Sequence, residues 1–136
     1  MSTNENIQIV EKAYADFLHG DVAAMLAAMD ESVEWVTPEV DLPTGGTWKG
    51  KAGVGEFFQK VAETWDFQAF APKEYIASGE QVAVRGSYTA RARSTGRAVS
   101  CEWCMTWKIR AGKVLHFQEY SDTAVLRDAV TARAAA

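Results

Sequence analysis

The sequence has few of the residues that metal sites and nucleic-acid surfaces require. Only two cysteines and two histidines occur among its 136 residues, which leaves few soft or imidazole ligands for a metal ion. Lys and Arg together number 14, against 18 Asp and Glu, and the net charge is −4. A chain without a basic excess offers no surface that attracts phosphates. We therefore expect neither a metal nor a nucleic-acid partner.

Long apolar runs are also missing. No stretch of the chain reaches the roughly 20 apolar residues of a membrane-spanning helix. The opening residues, MSTNENIQIVEK, lack the hydrophobic core of a signal peptide. These absences predict no membrane partner and a cytoplasmic location, where two cysteines remain thiols. A length of 136 residues, without linker or repeat, predicts a single domain over 1–136.

The segment CEWCMTWKI, residues 101–109, is the part of the chain that suggests redox or zinc chemistry. A redox Cys-x-x-Cys pair places its first thiol at a helix N-terminus, but this pair lies within a predicted strand. Residues i and i+3 of a strand point to opposite faces, so Cys101 and Cys104 are predicted not to meet. We interpret the segment as a strand with one bulky apolar face, made of Cys101, Trp103, Met105, Trp107 and Ile109.

The period of the apolar residues changes halfway along the chain. Helical spacing predicts helices over 5–19 and 51–65, and a short helix begins after Asp21. Residues 33–38 predict a strand that Pro38 ends, followed by a loop over 39–47. Four long strands with hairpin turns come next, and a last short helix covers 123–130. The sequence predicts an α+β fold, in which a curved antiparallel sheet wraps around the N-terminal helices.

Long strands closed by helices do not easily fill the space between them, and such spaces commonly hold ligands. Inward aromatic and apolar residues are therefore candidates for a pocket wall, although ordinary core packing explains them equally well. Tyr14 and Trp35 also carry polar tips that a ligand carbonyl would satisfy. The candidate wall residues are Tyr14, Phe17, Trp35, Phe58, Val61, Trp103, Met105 and Phe117. Asp41 lies in the loop that we expect to cover the pocket mouth.

The last strand carries the best candidate for a catalytic acid or base. Alternation places Leu115, Phe117, Glu119 and Ser121 on one face, and the apolar residues indicate that this face points inward. Glu119 would then enter an apolar cavity, where desolvation raises a carboxyl pKa into the range useful for proton transfer. The alternative is a structural Glu119 that pairs with an Arg, a Lys or a tryptophan indole. Asp122 is the second candidate, although its position is typical of a helix cap.

Three segments carry a resemblance to a known family: LHGDVAAMLAAMDESVEWVTP, GTWKGKAGVGEFF and GKVLHFQEYSDTAVLRDA. They resemble the SnoaL-like branch of the nuclear transport factor two-like superfamily. The resemblance implies a cone-shaped α+β fold of the cystatin-like roll type, a deep apolar pocket and a homodimer. That superfamily contains polyketide cyclases, ketosteroid isomerases, epoxide hydrolase-like enzymes and non-catalytic binders, so the fold alone does not assign a reaction.

The family's catalytic positions match this chain only in part. Thr37 stands where ketosteroid isomerases carry a base carboxylate, and Met105 where they carry a protonated aspartate. Their tyrosine position falls on Ala13, one residue from Tyr14. In SnoaL-like cyclases an aspartate near the end of the last strand acts as the acid or base, which keeps Asp122 beside Glu119 as a candidate. The Asp-Arg-Asp arrangement of the epoxide hydrolases would need Arg85, which alternation turns away from the pocket.

Three functions follow as hypotheses. The first is a cyclase or isomerase that uses acid/base chemistry, without a cofactor, on a small hydrophobic carbonyl compound. The second is a non-catalytic binder of a small apolar molecule, and the third is a dimeric interaction module with a filled core. Because the isomerase positions are not matched, the sequence leaves open whether the chain is an enzyme at all.

Overall fold

The computed structural model describes residues 2–38 and 41–131, and this part of the chain contains four helices and six strands. The mixture confirms the predicted α+β class, and the predicted last helix matches the observed bounds. In chain order the elements are α1 (Thr3–Leu18), α2 (Val22–Ala27), β1 (Met29–Thr37), β2 (Gly46–Lys49), α3 (Gly50–Thr64), β3 (Trp65–Ser78), β4 (Gln81–Ala92), β5 (Ala98–Arg110), β6 (Lys113–Ser121) and α4 (Thr123–Val130).

Local capping signals set the first two helices. Ser2 and Glu5 form a capping box in which the Ser2 hydroxyl accepts from the Glu5 backbone N–H at 3.1 Å. This box starts α1 two residues earlier than the apolar spacing predicts, because it satisfies helix N–H groups that apolar residues leave free. Gly20, at φ 70°, then ends the helix, and the Asp21 carboxylate accepts from the Ala24 N–H at 3.0 Å to begin α2.

The strands form one curved sheet in the order β2-β1-β6-β5-β4-β3. Neighbouring strands are antiparallel except for β1 and β6, which run parallel. The sheet is therefore mixed, whereas sequential hairpins predicted a purely antiparallel one. Strand β2 is a second difference, because it occupies the end of the predicted loop over 39–47, of which residues 39 and 40 lie outside the described residues. It pairs with β1 at the sheet edge, and the Trp48 indole donates to Thr37 Oγ1 at 3.3 Å.

The two faces of the sheet differ in composition. The inner face packs against α1 and α3 and carries Val84, Tyr88, Met105, Trp107 and Phe117, all buried. The outer face carries Arg85, Cys104, Thr106, Gln118 and Tyr120, which are exposed or half-buried. Strand β5 follows the predicted alternation, with Cys101 buried on the inner face, Cys104 on the outer face and both thiols free. The Cys-x-x-Cys pair is thus not a disulfide.

Strand β6 contains a bulge that corrects one predicted face. Lys108 pairs with His116, but its neighbour Ile109 pairs with Val114, so Leu115 has no partner on β5. The extra residue reverses the alternation before it. Val114 is therefore 1% exposed and takes the inward position that alternation had assigned to Leu115.

Gly86 makes room for the aromatic layer on the inner face. It pairs with Trp103 across β4 and β5. A Cβ atom at this position would lie 2.4 Å from Trp103 Cζ2 and 2.5 Å from the carbonyl oxygen of Ala71. Only glycine lets the Trp103 indole lie against the β4 backbone here, since Cβ atoms stay more than 3 Å from other heavy atoms. Within the residues that the structure describes, no helix has both the length and the apolar character needed to cross a membrane.

Candidate functional site

An aromatic cavity of about 70 Å³ lies between the inner face of the sheet and the helices. Ligand pockets usually measure about 300–1,000 Å³, so the space holds a few water molecules, and a larger ligand requires wall side chains to move. Most of the wall is formed by rings: Tyr14, Phe17, Trp35, Phe57, Phe58, Trp65, Phe67, Phe70, Tyr88, Trp107 and Phe117.

One side of the wall is a packed group of rings. Trp35 of β1 stacks on Phe117 of β6 with centroids 3.7 Å apart and planes 12° from parallel. The Trp107 ring meets both edge-on, at 5.5 Å from Trp35 and 4.8 Å from Phe117. Stacked and edge-on contacts of this kind each stabilise the packing beyond the area they bury. The rings on this side of the cavity are therefore held in place, because they lie on three neighbouring strands of the sheet.

Glu119 is the acidic residue in the cavity wall. It pairs across the sheet with Met105, and the hydroxyl of Ser121 donates to its Oε2 at 3.0 Å. Burial raises the pKa of the Glu119 carboxyl to about 7, and the hydrogen bond from Ser121 opposes that rise. The residue stays half-buried because it faces both the cavity and a groove outside it. A carboxyl with this pKa is partly protonated at neutral pH and suits proton transfer in either direction.

Among the residues that the structure describes, no Lys or Arg forms an ion pair with Glu119 and no indole donates a hydrogen bond to it. The structural alternative, an ion pair or an indole hydrogen bond, therefore has no partner in this part of the chain. A buried carboxyl without a cation costs stability when it ionises. Such a group is a functional-site candidate when it also lines a cavity.

Two neutral tyrosine hydroxyls lie close enough to the Glu119 carboxyl to feel its charge. Tyr14 of α1 donates to the Met105 sulfur at 3.3 Å and accepts from the Trp107 indole N–H at 3.0 Å. Tyr88 of β4 lies beside the thiol of Cys101. Burial raises the pKa of both tyrosines well above 10, so both keep their protons at neutral pH. Sulfur is a weak acceptor, and little is lost when such a hydroxyl turns to a ligand oxygen instead.

The structure brings most of the predicted wall residues together. Those that line the cavity are Tyr14, Phe17, Trp35, Phe58, Val61, Met105 and Phe117. Trp103 is buried behind this wall, where it stacks on Tyr14 at 5.7 Å and on Phe70 at 5.1 Å. The indole N–H groups of Trp35 and Trp103 have no acceptor within the described part of the chain. Trp35 therefore offers a free donor next to the cavity.

The two remaining acidic candidates lie outside the cavity. Asp122 is exposed, and its carboxylate accepts from the Val125 N–H at 3.3 Å as the cap of α4. Asp41 is exposed in the loop, at φ 56°, with its Oδ2 3.1 Å from Nη2 of Arg127. Neither carboxylate reaches the ring-lined space. Both carboxylates instead hold surface structure, because a helix N-terminus and an arginine are their partners.

Tyr88 and Trp107 were not singled out as wall residues from the sequence. The signal was present for both, since alternation that turns Arg85 and Thr89 outward turns Tyr88 inward. Arg85 does face outward, where it pairs with Glu74 at 2.7 Å. His116 is also on the outer face, 3.5 Å from Glu34. Within the described residues no group of three or more His, Cys, Asp or Glu side chains is placed to hold a metal ion.

Comparison with known proteins points to one family. The model of the SnoaL-like domain matches residues 10–117. An NTF2-like protein from Burkholderia xenovorans LB400 is 37% identical, with a TM-score of 0.89 over 96% of this chain and 99% of its own. An NTF2-like protein of unknown function from Burkholderia pseudomallei K96243 is 30% identical, with a TM-score of 0.88 over 97% and 100%. TerC, co-crystallised with polyporic acid, is 29% identical, with a TM-score of 0.84 over 93% and 98%. No functionally curated protein matches this chain.

Proposed function

This chain belongs to the family of SnoaL-like domains, and we propose that it is an isomerase or cyclase that uses acid/base chemistry on a small hydrophobic carbonyl compound. The reaction needs no cofactor. The observation that carries the proposal is Glu119, a carboxyl without a cation in a ring-lined cavity, with its pKa raised to about 7 by burial. Family membership allows such a function but does not assign it.

The proposed reaction uses one base and several hydrogen-bond donors. The Glu119 carboxylate takes a proton from the carbon next to the ligand carbonyl, and the electron pair of the broken C–H bond moves to the carbonyl oxygen. A hydroxyl of Tyr14 or Tyr88, or the free indole N–H of Trp35, donates to that enolate oxygen. The Glu119 carboxyl then returns the proton to another carbon. Alternatively, the enolate carbon attacks a second carbonyl and closes a ring, and the carboxyl gives its proton to the alkoxide oxygen that forms.

The wall suggests the class of ligand. Rings form most of the cavity wall, and they favour a flat aromatic molecule because stacked and edge-on contacts reward planarity. The relative TerC was crystallised with polyporic acid, a dihydroxyquinone that carries two phenyl groups. The likeness supports an aromatic ligand with an acidic enol for this chain.

A second candidate function is non-catalytic binding of a small apolar molecule. The observation that favours it is the size of the cavity, about 70 Å³. A space this small holds no large ligand in the geometry of a reaction until the rings move. Thr37, at the position where ketosteroid isomerases carry their base, hydrogen-bonds the loop carbonyls of Thr44 and Gly46 instead. The binder and the enzyme share the cavity and differ only in whether Glu119 transfers a proton.

Proton transfer is tested directly with a panel of aromatic ketones and hydroxyquinones in D₂O. We expect the protein to speed deuterium entry next to a carbonyl, or isomerisation, and Glu119→Gln to lower that rate by about 10²–10⁴-fold. The control is Glu102→Gln, which removes an exposed carboxyl from the outer face of β5. Saturable quenching of tryptophan fluorescence with no exchange in any compound would support the binder and end the enzyme proposal.

We also propose that two copies associate through the outer face of the sheet. This face is mixed rather than strongly charged, and Tyr120, near the end of β6, is 53% exposed. Apolar area of this kind can be buried against a second copy. Sedimentation of the wild type at micromolar concentration should show a dimer, and Tyr120→Lys should weaken it. A single 14.9 kDa species for the wild type would contradict the dimer.

A further inference from the structure

Glu119 stands between two hollows of different character. On one side is the ring-lined cavity, and on the other is an open groove of about 510 Å³ at the end of β1 and β6. Apart from Glu119 the groove is lined by Val36, Pro38 and polar uncharged side chains: Thr37, Thr47, Gln118, Tyr120, Ser121 and Thr123. The cavity suits an apolar ligand, whereas the groove suits water. Glu119 therefore lines both a ligand site and a solvent site.

The two oxygens of the carboxyl are held differently. Oε2 accepts the hydrogen bond from Ser121 at 3.0 Å. Oε1 accepts none from the residues that the structure describes. Glu119 and Ser121 are two residues apart on β6 and pair with Met105 and Trp103 of β5, so the central strands fix both backbones. One oxygen is thus anchored by a neighbour on the same strand, and the other is open to a ligand.

We propose that Ser121 is a positioning residue that holds Oε2 of Glu119 on the groove side, leaves Oε1 to the ligand, and relays the carboxyl proton to water in the groove. This inference rests on the proposed acid/base function and adds the route by which the base is reset. A serine hydroxyl donates and accepts at the same time. Ser121 is half-buried and lines the groove, so it reaches both partners.

The relay balances without any co-reactant except water. A proton taken up on Oε1 reaches the Ser121 side when the carboxyl group turns about its Cγ–Cδ bond and its two oxygens exchange places. The Glu119 O–H then donates to Ser121 Oγ, and the Ser121 O–H donates to a groove water. Passing one proton along each bond leaves the carboxylate, an intact serine and a hydronium ion that diffuses away. The reverse transfer reprotonates the carboxyl. Glu119 can then exchange its proton while a ligand fills the cavity, because the groove lies on the other side.

Other groups that titrate face Glu119 from each neighbouring element. Tyr14 approaches from α1, Tyr88 from β4 and Cys101 from β5. Burial raises the pKa of each of the three, so all stay neutral through the neutral range. The Asp122 carboxylate, just beyond β6, accepts a hydrogen bond from the first turn of α4. Titration near pH 7 in this region is therefore expected to report Glu119.

The test is a titration of the Glu119 carboxyl by ¹³C NMR in the ligand-free protein. Removing the hydroxyl in Ser121→Ala should raise the Glu119 pKa by roughly one unit, because a hydrogen bond to a carboxylate favours the charged form. Ser121→Thr keeps a hydroxyl and should restore the wild-type value. The matched control is Ser87→Ala, a half-buried serine on the outer face. An unchanged pKa in Ser121→Ala would overturn the positioning role.

A second measurement separates this inference from the proposed function. With a compound that turns over, the fraction of product carrying deuterium from D₂O should fall several-fold in Ser121→Ala and recover in Ser121→Thr. A shifted pKa with an unchanged deuterium fraction would remove the relay. Because the pKa is measured without a substrate, a shift in Ser121→Ala would uphold the positioning role even if no compound reacts. In that case the enzyme proposal alone would fail.

Discussion

The two faces of the sheet treat charge in opposite ways. Outside, exposed acids are paired with bases: Glu74 with Arg85 at 2.7 Å on the outer face, and Glu80, in the turn between β3 and β4, with Arg110 at 3.2 Å. Inside, Glu119 has no cation among the described residues and has a hydrogen bond from Ser121. Exposed pairs contribute about 0–1 kcal/mol and are easily replaced. A half-buried acid without a cation costs stability when it ionises at neutral pH, and this cost is the reason for which we propose proton transfer at Glu119.

The same contrast runs along a single strand. On β6, Phe117 is 2% exposed and stacks on Trp35, whereas Tyr120 is 53% exposed three residues later. Both are large aromatic residues, so their composition does not distinguish them. Their positions in the strand distinguish them, because alternate side chains point to opposite faces, one towards the core and one towards water. The effect of an aromatic or acidic residue on stability in this fold is therefore set by the face of the sheet on which its side chain lies.

The largest expected effect is on the packing of the inner face. Phe117→Ala should lower the free energy of unfolding by about 3–5 kcal/mol, since it removes a buried ring and leaves a hole beside Trp35 and Trp107. Tyr120→Ala on the outer face should change the free energy of unfolding of the monomer by less than about 0.5 kcal/mol, at a protein concentration below that at which the proposed dimer forms. Urea unfolding of the two variants measures the difference. Equal effects would mean that the inner rings are not packed as described.

The second effect is the dependence of stability on pH. Burial raises the pKa of Glu119 from 4.5 to about 7, so the folded state binds its proton more tightly than the unfolded state. The proton on Glu119 therefore adds to the free energy of unfolding. This contribution is fully present below pH 4.5 and is lost as pH rises through 7. The shift corresponds to about 3 kcal/mol.

Removal of the carboxyl isolates that contribution. The wild type should lose free energy of unfolding between pH 4.5 and pH 8, whereas Glu119→Gln should not lose this contribution. The stability of the variant relative to the wild type should therefore rise by about 3 kcal/mol over this range, which denaturant unfolding at both pH values measures. The control is Gln118→Ala, the next residue on the outer face, which disturbs the strand without changing charge. Parallel stability curves for the wild type and Glu119→Gln would show that the carboxyl is solvated, and the contrast between the two faces would disappear.

The third effect concerns a hydroxyl on the inner side. Tyr14→Phe leaves the Trp107 indole N–H without its acceptor, and an unpaired buried donor costs about 1–3 kcal/mol. Tyr75 is the matched control, because its half-buried ring meets Tyr14 edge-on and its hydroxyl makes no hydrogen bond within the described residues. Tyr75→Phe should therefore have the smaller effect in thermal unfolding. A larger loss in Tyr75→Phe would contradict this assignment of the two hydroxyls.

The sequence predicted most of this architecture because period and turn signals are local. The helices, the long hairpin strands and the inward face of β5 follow from spacing and glycine turns alone. Alternation predicted an inward Glu119 because Phe117, two residues before it, sets the phase of the strand, and Glu119 is among the residues that line the cavity. Alternation is reliable over such a short distance, since the side-chain period of a strand is two. Whether Glu119 acts on a substrate stays a prediction.

The remaining features depend on contacts between distant segments. The parallel pairing of β1 with β6 and the existence of β2 are set by neighbours that local patterns do not specify. The bulge at Leu115 reverses the phase of β6, which is why Val114 replaced Leu115 on the inner face. No local signal marks the bulge. Tyr88 was missed for a simpler reason. Alternation was applied to β4 to turn Arg85 outward, but the same alternation was not carried on to Tyr88, which it turns inward.

The smallest expected effect separates the two acids at the end of β6. Asp122→Ala should cost about 1 kcal/mol, because the Val125 N–H loses its cap, while Asp122→Asn should keep most of the stability since Asn caps well. If the carboxylate only caps α4, the Asn variant also keeps any turnover that the wild type shows. A stable Asp122→Asn protein without turnover would place Asp122 in the chemistry. The reaction would then require α4 to bring an exposed carboxylate to the cavity, and Glu119 would no longer be sufficient as the only base.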